Sequence, residues 1–261
     1  MSERRLVAAL ACRAGGSRLY GKPLQNLAPD VSILDHVIKA CLAAPEIDEV
    51  VLGISEGQEN QTFVDVAHRH GIGYIFGDQK DVLMRLVQCG RAGSGSDVFR
   101  ITTECPFTAW EFLGQAWARH VAQENDITAT EYMPEGVNFE ILSLAALERS
   151  HRDGIDAERS EFCTAYPRRK PELFRIEVMT PPEAYHRPDV RLTVDYPEDL
   201  ILCRRIWEAL GDRAPHIPIR DVLKWVDENP DSHALVSEFV DETAIWDHVA
   251  QSASVPLEQV S

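Results

Sequence analysis

Short apolar runs and amphipathic stretches alternate along the N-terminal part of the chain. Leu6–Cys12 and Glu49–Ser55 are nearly continuous apolar segments of strand length, the pattern of strands covered on both faces. Between them, Ser32–Ala43 sets Ile33, Leu34, Val37, Ile38 and Leu42 at helical spacing. Asn60–Gly71 predicts a helix stopped by glycine, Gly73–Gly77 a short strand and Asp78–Gly90 another helix. Val98–Thr102 reads as a further buried strand and Trp110–Gln123 as a helix. This alternation implies an α/β fold with a mainly parallel sheet, right-handed crossovers and helices on both faces. Ligands of such sheets bind beyond the carboxyl ends of the strands. Glu104, just past Val98–Thr102, falls at that end.

After Asn125 the pattern loosens. Asn138–Leu142 is strand-like and Leu144–His151 helical, whereas Asp153–Pro188 reads as irregular chain rich in proline and charge. A segment of this kind, at about 150–188, is expected to be an active-site flap or a dimer arm rather than core. Arg191–Val194 reads as the last strand, Pro197–Leu210 as a helix, and Ile219–Glu228 and Ser232–Ala250 as helices before a frayed tail.

With 261 residues and 44% apolar content, one domain over 1–261 is expected, since a single core still grows efficiently at this size. No apolar run approaches the ~20 residues that span a bilayer, so a cytoplasmic protein without membrane contact is expected. The six cysteines are scattered singly, without zinc-ligand spacing, and read as buried thiols. A net charge of −16 argues against nucleic acid as a partner, because duplex affinity comes largely from cations neutralising phosphates. A small anionic substrate would need a local basic pocket.

Such a concentration follows the first strand. The segment from Cys12 to Leu24 holds three cations, Arg13, Arg18 and Lys22, and three glycines, Gly15, Gly16 and Gly21. Glycines let backbone N–H groups approach phosphate oxygens while the cations neutralise charge. The loop reads as a triphosphate cradle. A dinucleotide fingerprint fails, because Ser17 and Tyr20 stand where glycines are required. Gly16 to Lys22 fits the spacing of a P-loop, but Pro23 follows and supplies neither a hydroxyl for magnesium nor a backbone N–H.

The sequence here resembles the cytidylyltransferases related to CMP-KDO synthetase, and within them the SpsF-like group of spore-coat polysaccharide biosynthesis. That family carries R-x-x-S-[ST]-R-L-P-G-K-x-L after its first strand. Arg13, Gly16, Ser17, Arg18, Leu19, Gly21, Lys22 and Leu24 stand in register with it, Gly16 replacing a serine and Tyr20 a proline. Asp81-Val82-Leu83-Met84-Arg85 resembles its D-V-L-x-R, Val98–Pro106 its V-x-R-I-T-G-D-C-P, Asn138–Ser143 its D-V-E-V-F-S, and Arg191–Leu200 its R-L-T-V-D-T-P-E-D-L. The blocks occur in the same order.

The resemblance implies a GT-A-like, Rossmann-like nucleotide-binding fold: a twisted, mixed, mostly parallel sheet flanked by helices, usually as a homodimer. It also implies CTP, Mg2+ and release of pyrophosphate. Nucleotide contacts are expected from Ala11, Arg13, Gly15, Gly16, Ser17, Arg18, Lys22, Gly77, Asp81, Arg85 and Thr103, with Arg13 and Lys22 neutralising the triphosphate in catalysis. Glu104 and Asp195 correspond to the metal ligands, Glu104 standing in place of an aspartate. Local sequence gives Asp195 a second reading, as the cap of the helix that begins at Pro197.

Acceptor contacts are expected from Asn138, Glu140, Glu161 and Thr164, and from Arg168 and Lys170, whose cations suit a phosphate, phosphonate or carboxylate. Phe162 and Cys163 replace a His-Val pair of the family's acceptor block. The expected reaction moves CMP from CTP to a small anionic acceptor: a phosphonate such as phosphonoformate, a sugar phosphate or a sugar acid. A GT-A glycosyltransferase using a nucleotide sugar and a non-catalytic nucleotide-binding protein stand as alternatives.

Overall fold

The computed structural model describes residues 4–16, 18–240 and 253–258. Its strands are β1 (Leu6–Cys12), β2 (Asn26–Ala28), β3 (Val31–Ser32), β4 (Glu49–Ser55), β5 (Gly73–Gly77), β6 (Asp97–Arg100), β7 (Ile127–Thr130), β8 (Glu140–Ser143), β9 (Ile176–Thr180) and β10 (Ala253–Pro256). Its α-helices are α1 (Ile33–Ala43), α2 (Thr62–His70), α3 (Val82–Ala92), α4 (Leu113–Ala122), α5 (Leu144–Asp153), α6 (Ala165–Arg169), α7 (Pro197–Leu210), α8 (Ile219–Glu228) and α9 (Pro230–His233). Among the described residues no helix is long and apolar enough to cross a membrane.

Eight strands form one sheet in the order β10-β9-β7-β8-β6-β1-β4-β5, while β2 and β3 pair separately. Within the large sheet only β8 runs against the others. The mixed, mostly parallel, helix-flanked α/β sheet expected from the alternation is the one observed. From β1 the chain steps outward through β4 to β5, then returns through α3 to β6 on the other side of β1. The strand order therefore reverses beside β1, and the crevice at such a reversal is where open α/β sheets bind ligands.

The period of two in β1 divides the core. Leu6, Ala8 and Leu10 pack with Ile33, Leu34 and Ile38 of α1, Phe63 of α2, Leu113 of α4 and Ile206 of α7. Val7 and Ala9 pack on the opposite face with Leu83, Leu86 and Val87 of α3 and Leu147 of α5. Local chemistry sets the helix ends. Ser32 Oγ accepts the Asp35 N–H at 3.0 Å while the Asp35 carboxylate accepts the Ser32 N–H at 3.3 Å, which starts α1. Gly71, with φ of 66°, ends α2 in the left-handed conformation that glycine adopts without steric cost.

The C-terminal half departs from expectation. β7 and β9 lie inside the sheet, in segments whose pattern had loosened, and β9 falls within the stretch 153–188. Its Glu177 hides the strand, because a buried glutamate breaks the apolar run; Arg119 neutralises it at 2.5 Å. Arg191–Val194 is not a strand of the sheet: it makes an isolated bridge, Glu135 with Arg191, and bends at Thr193. Its backbone donors go to loop carbonyls, Leu192 N–H to Glu135 at 2.8 Å and Val194 N–H to Glu104 at 3.1 Å. Beyond α9 the chain turns into a 3-10 helix at Ala234–Phe239, so no long helix starts at Ser232. Residues 241–250 of that expected helix lie outside the described residues, and 253–256 of the expected tail pair with β9.

A polar anchor closes the far end of β6. Asp97 is inaccessible and accepts from Arg4 Nε at 2.8 Å, Ser96 Oγ at 2.7 Å and His120 Nε2 at 2.9 Å. Burial alone would raise its pKa, but these donors outweigh it and hold the carboxyl below its usual range. Burial pushes the His120 imidazole down, and the ring sits between Asp97 and Thr128, with Nδ1 2.9 Å from Thr128 Oγ1. Asp97→Ala is expected to cost about 3 kcal/mol in urea unfolding at neutral pH, since it strands buried partners. Because the folded value is depressed, the wild-type advantage is full above the unfolded aspartate value of about 4 and fades as the pH falls below it.

Candidate active site

The Cys12–Leu24 loop leaves the carboxyl end of β1 and closes on itself, with Gly21 N–H donating to Ala14 C=O at 2.7 Å. Gly21 lies at φ 61°, where a side chain would be strained. Buried Asn60, in the turn after β4, accepts the Ala14 N–H at 2.7 Å and donates to Glu56 C=O at 3.2 Å. Arg13, Gly15, Gly16 and Arg18 are exposed along the loop, and Arg13 makes no ion pair among the described residues. Ser17, expected to contact nucleotide, lies outside the described residues.

Lys22 opens the 3-10 turn Lys22–Leu24 and is held by Asp195 Oδ1. Arg18 reaches the same oxygen at 3.3 Å, and Arg191 donates to Asp195 Oδ2 at 2.6 Å. Arg191 is itself nearly inaccessible, 5% exposed, and also binds Glu135 and Asp199, the latter at 3.0 Å. Asp199 accepts the backbone N–H groups of Asp195 and Tyr196 at 2.8 and 2.9 Å and so caps α7. The capping expected of Asp195 falls to Asp199, which leaves the Asp195 side chain to face the loop.

The Val194 N–H to Glu104 C=O bond sets the chain positions of Glu104 and Asp195 side by side. Burial, and then the Asp195 charge, push the Glu104 carboxyl above its usual range despite Lys22. Burial works the same way on Asp195, but Lys22, Arg191 and Arg18 outweigh it and hold that carboxyl low. Lys22 thus already places a cation in the field of both carboxylates. Two carboxylates with positions left for phosphate oxygens and water match the donor set magnesium takes, so these residues fit the expected metal.

Beneath the loop, Thr103 Oγ1 donates to Ala11 C=O at 3.1 Å and ties the ends of β6 and β1. Buried Arg85 donates to Gly53 C=O at 3.0 Å and Cys12 C=O at 3.3 Å, with its Nε unpaired and, among the described residues, no carboxylate partner. A β carbon at Gly77 would overlap the Arg85 side chain, so that glycine makes room for the arginine. Asp81 caps α3 through Met84 N–H at 2.8 Å and binds His151 Nε2 at 2.7 Å.

Four of the residues expected at the acceptor meet in one network. Glu140 accepts from Thr164 Oγ1 at 2.9 Å, Arg168 at 3.3 Å and Arg100 at 2.6 Å, and Arg100 also binds the Glu161 carbonyl at 2.8 Å. Arg168 binds Glu131 at 2.8 Å as well. Burial would raise the Glu140 pKa, but the two arginines hold it low. Asn138 turns to the carbonyls of Pro134 and Met133, and Lys170 points to Glu172 at 4.0 Å, so neither joins this network.

The profile of the cytidylyltransferase family matches residues 7–212. The chain belongs to the cytidylyltransferase family. SpsF, the spore coat polysaccharide biosynthesis protein of Bacillus subtilis, is 26% identical over 227 residues, which cover 85% of this chain and 94% of SpsF. A solved cytidylyltransferase from Leptospira borgpetersenii superposes with a TM-score of 0.79 at 18% identity, covering 88% of this chain and 97% of that one. CMP:2-keto-3-deoxy-manno-octonic acid synthetase, solved with CTP, gives 0.60 at 12% identity, over 78% of this chain and 99% of that one. Membership supplies the reaction class, transfer of CMP from CTP.

In this cytidylyltransferase the departures from the family motifs have local reasons. A β carbon at Gly16 would overlap the Leu19 carbonyl oxygen, so the turn excludes a serine there. Tyr196, at a family threonine, is stacked on Phe239 with ring centroids 4.1 Å apart and carries Arg18 on its ring at 4.9 Å. Phe239 lies beyond the matched region. The sequence reading missed Asn60, Arg191 and Phe239; only Arg191 had a signal, its place in the block that contains Asp195.

Raised above the unfolded glutamate value, the Glu104 carboxyl favours the fold fully at acid pH and loses that contribution as the pH rises through its folded value. Glu104→Gln is therefore expected to melt above the wild type at neutral pH in a thermal-shift assay, with the gap closing as the pH falls toward about 4.

Proposed function

We propose that this chain transfers CMP from CTP to a small anionic acceptor, releases pyrophosphate, and works with Mg2+ held by Glu104 and Asp195. The observation that supports it is the meeting of Lys22, Glu104 and Asp195 under a glycine-rich loop at the reversal of strand order. An anionic nucleophile must approach an α-phosphate that is already negative, so neutralisation and in-line placement dominate such a transfer. Lys22, Arg13 and Arg18 supply cations from one loop, and Gly15 and Gly16 allow backbone N–H groups to approach the triphosphate. The metal, when bound, adds charge neutralisation at the phosphate oxygens.

The acceptor is a phosphonate, a sugar phosphate or a sugar acid. A phosphonate or phosphate arrives ionised and needs no general base, and the Thr164, Arg168 and Glu140 network is where its anionic group would be read. Buried, hydrogen-bonded arginines of this kind recognise such groups by geometry as well as charge. A homodimer built through the 150–188 segment is part of the same reading, and light scattering on the purified chain tests it.

Pyrophosphate release is measured with Mg2+ and each nucleoside triphosphate against a panel of phosphonates, sugar phosphates and sugar acids. Release with CTP and one acceptor is expected, abolished by chelation and lowered about a hundredfold or more in Lys22→Ala. Sugar transfer from a nucleotide sugar without pyrophosphate formation from CTP would overturn the proposal in favour of a glycosyltransferase. CTP binding without turnover of any acceptor would point to a non-catalytic nucleotide-binding protein.

A further inference from the structure

Asp195 is engaged on both carboxylate oxygens, and the two sides differ. Oδ1 meets Lys22 and Arg18, which come from the phosphate loop, with side chains 18% and 47% exposed. Oδ2 meets Arg191, whose side chain is 6% exposed and whose guanidinium is also spanned by Glu135 and Asp199. Lysine is a flexible point charge, whereas a buried arginine fork bound to several carboxylates keeps its geometry. One oxygen is therefore held by movable partners and the other by a fixed one.

The local charges point the same way. Glu104, Glu135, Asp195 and Asp199 are gathered around Lys22, Arg18 and Arg191. With Lys22 withdrawn, Asp195 Oδ1 keeps, among the described residues, only the more exposed Arg18 as a cationic partner. A lysine and a metal cannot both take the Lys22 side of Asp195 Oδ1.

We propose that in the nucleotide-free protein Lys22 occupies the place of the divalent cation on Asp195 Oδ1, and that Arg191 is the positioning residue that keeps Oδ2 fixed while lysine and metal exchange. This rests on the assignment of Asp195 as a metal ligand. Nucleotide and metal then bind with positive coupling: the triphosphate gives Lys22 a new anionic partner, and the vacated carboxylate oxygen receives the metal. Coupling of this kind is reciprocal, so each ligand raises the affinity for the other.

The test uses Mn2+ alone, followed by electron paramagnetic resonance, with no nucleotide present. Lys22→Met and Arg191→Met remove the same charge from the same carboxylate, so a purely electrostatic effect would tighten Mn2+ binding in both. The proposal expects opposite signs. Lys22→Met should bind Mn2+ about tenfold tighter than wild type or more, the scale of one charge-assisted hydrogen bond. Arg191→Met should bind it more weakly, and Arg191→Lys should fall between Arg191→Met and wild type.

Unchanged Mn2+ affinity in Lys22→Met would overturn the exchange, and tightening in both Met variants would overturn the positioning role. Should Arg191→Met fail to fold by circular dichroism, Arg191→Lys and Lys22→Met decide the two points. Asp195→Asn separates this proposal from the one beneath it: Mn2+ binding equal to wild type in that variant would remove Asp195 as a metal ligand altogether.

Discussion

A buried guanidinium is costly unless acceptors meet it, and the active end of this sheet is assembled around one that carboxylates meet. Arg191 joins Glu135 from the β7–β8 connection, Asp195 from the approach to α7, and Asp199 from its first turn. Each partner has a second task. Glu135 bridges its own loop to Arg191 through the backbone, Asp199 caps α7, and Asp195 faces Lys22. Losing the arginine would leave several charges short of a partner at the place where the ligand-binding loops converge.

The sheet supplies the frame for that cluster. Strand order reverses beside β1, so the loop after β1 and the turn after β6 open into one crevice. Asn60 ties the phosphate loop to the end of β4, Thr103 ties β6 to β1, and Arg85 braces β1 and β4 from beneath. A chain of net charge −16 thereby sets the cations Arg13, Arg18 and Lys22 together on one loop at this end of the sheet. The segment beyond the matched family region also reaches this cluster, through Phe239 stacked on Tyr196, whose ring also carries Arg18.

The two carboxylates assigned to the metal are tuned apart. Glu104, half-buried, is pushed up by desolvation, while Asp195 is held down by three cations. The extra methylene that distinguishes Glu104 from the family aspartate sits on the carboxylate whose pKa is raised. In the proposed metal site the residues that hold Asp195 would matter as much as Asp195 itself.

By itself, the sequence determined the strands and helices of the N-terminal half, because their signals are local: apolar runs, helical spacing, the Ser32–Asp35 cap and the Gly71 stop. It also marked the Cys12–Leu24 loop and the blocks holding Glu104 and Asp195, since charge and glycine stand out within a few residues. Tertiary structure alone decided the membership of β7, β9 and β10, whose pairing is non-local and whose Glu177 is masked by a distant Arg119. It decided that Arg191–Val194 serves loops instead of the sheet, and that Asp199 caps α7 so that Asp195 is free for Lys22. Burying a charge is settled by partners far away in the chain, and no local pattern of residues records where those partners will be.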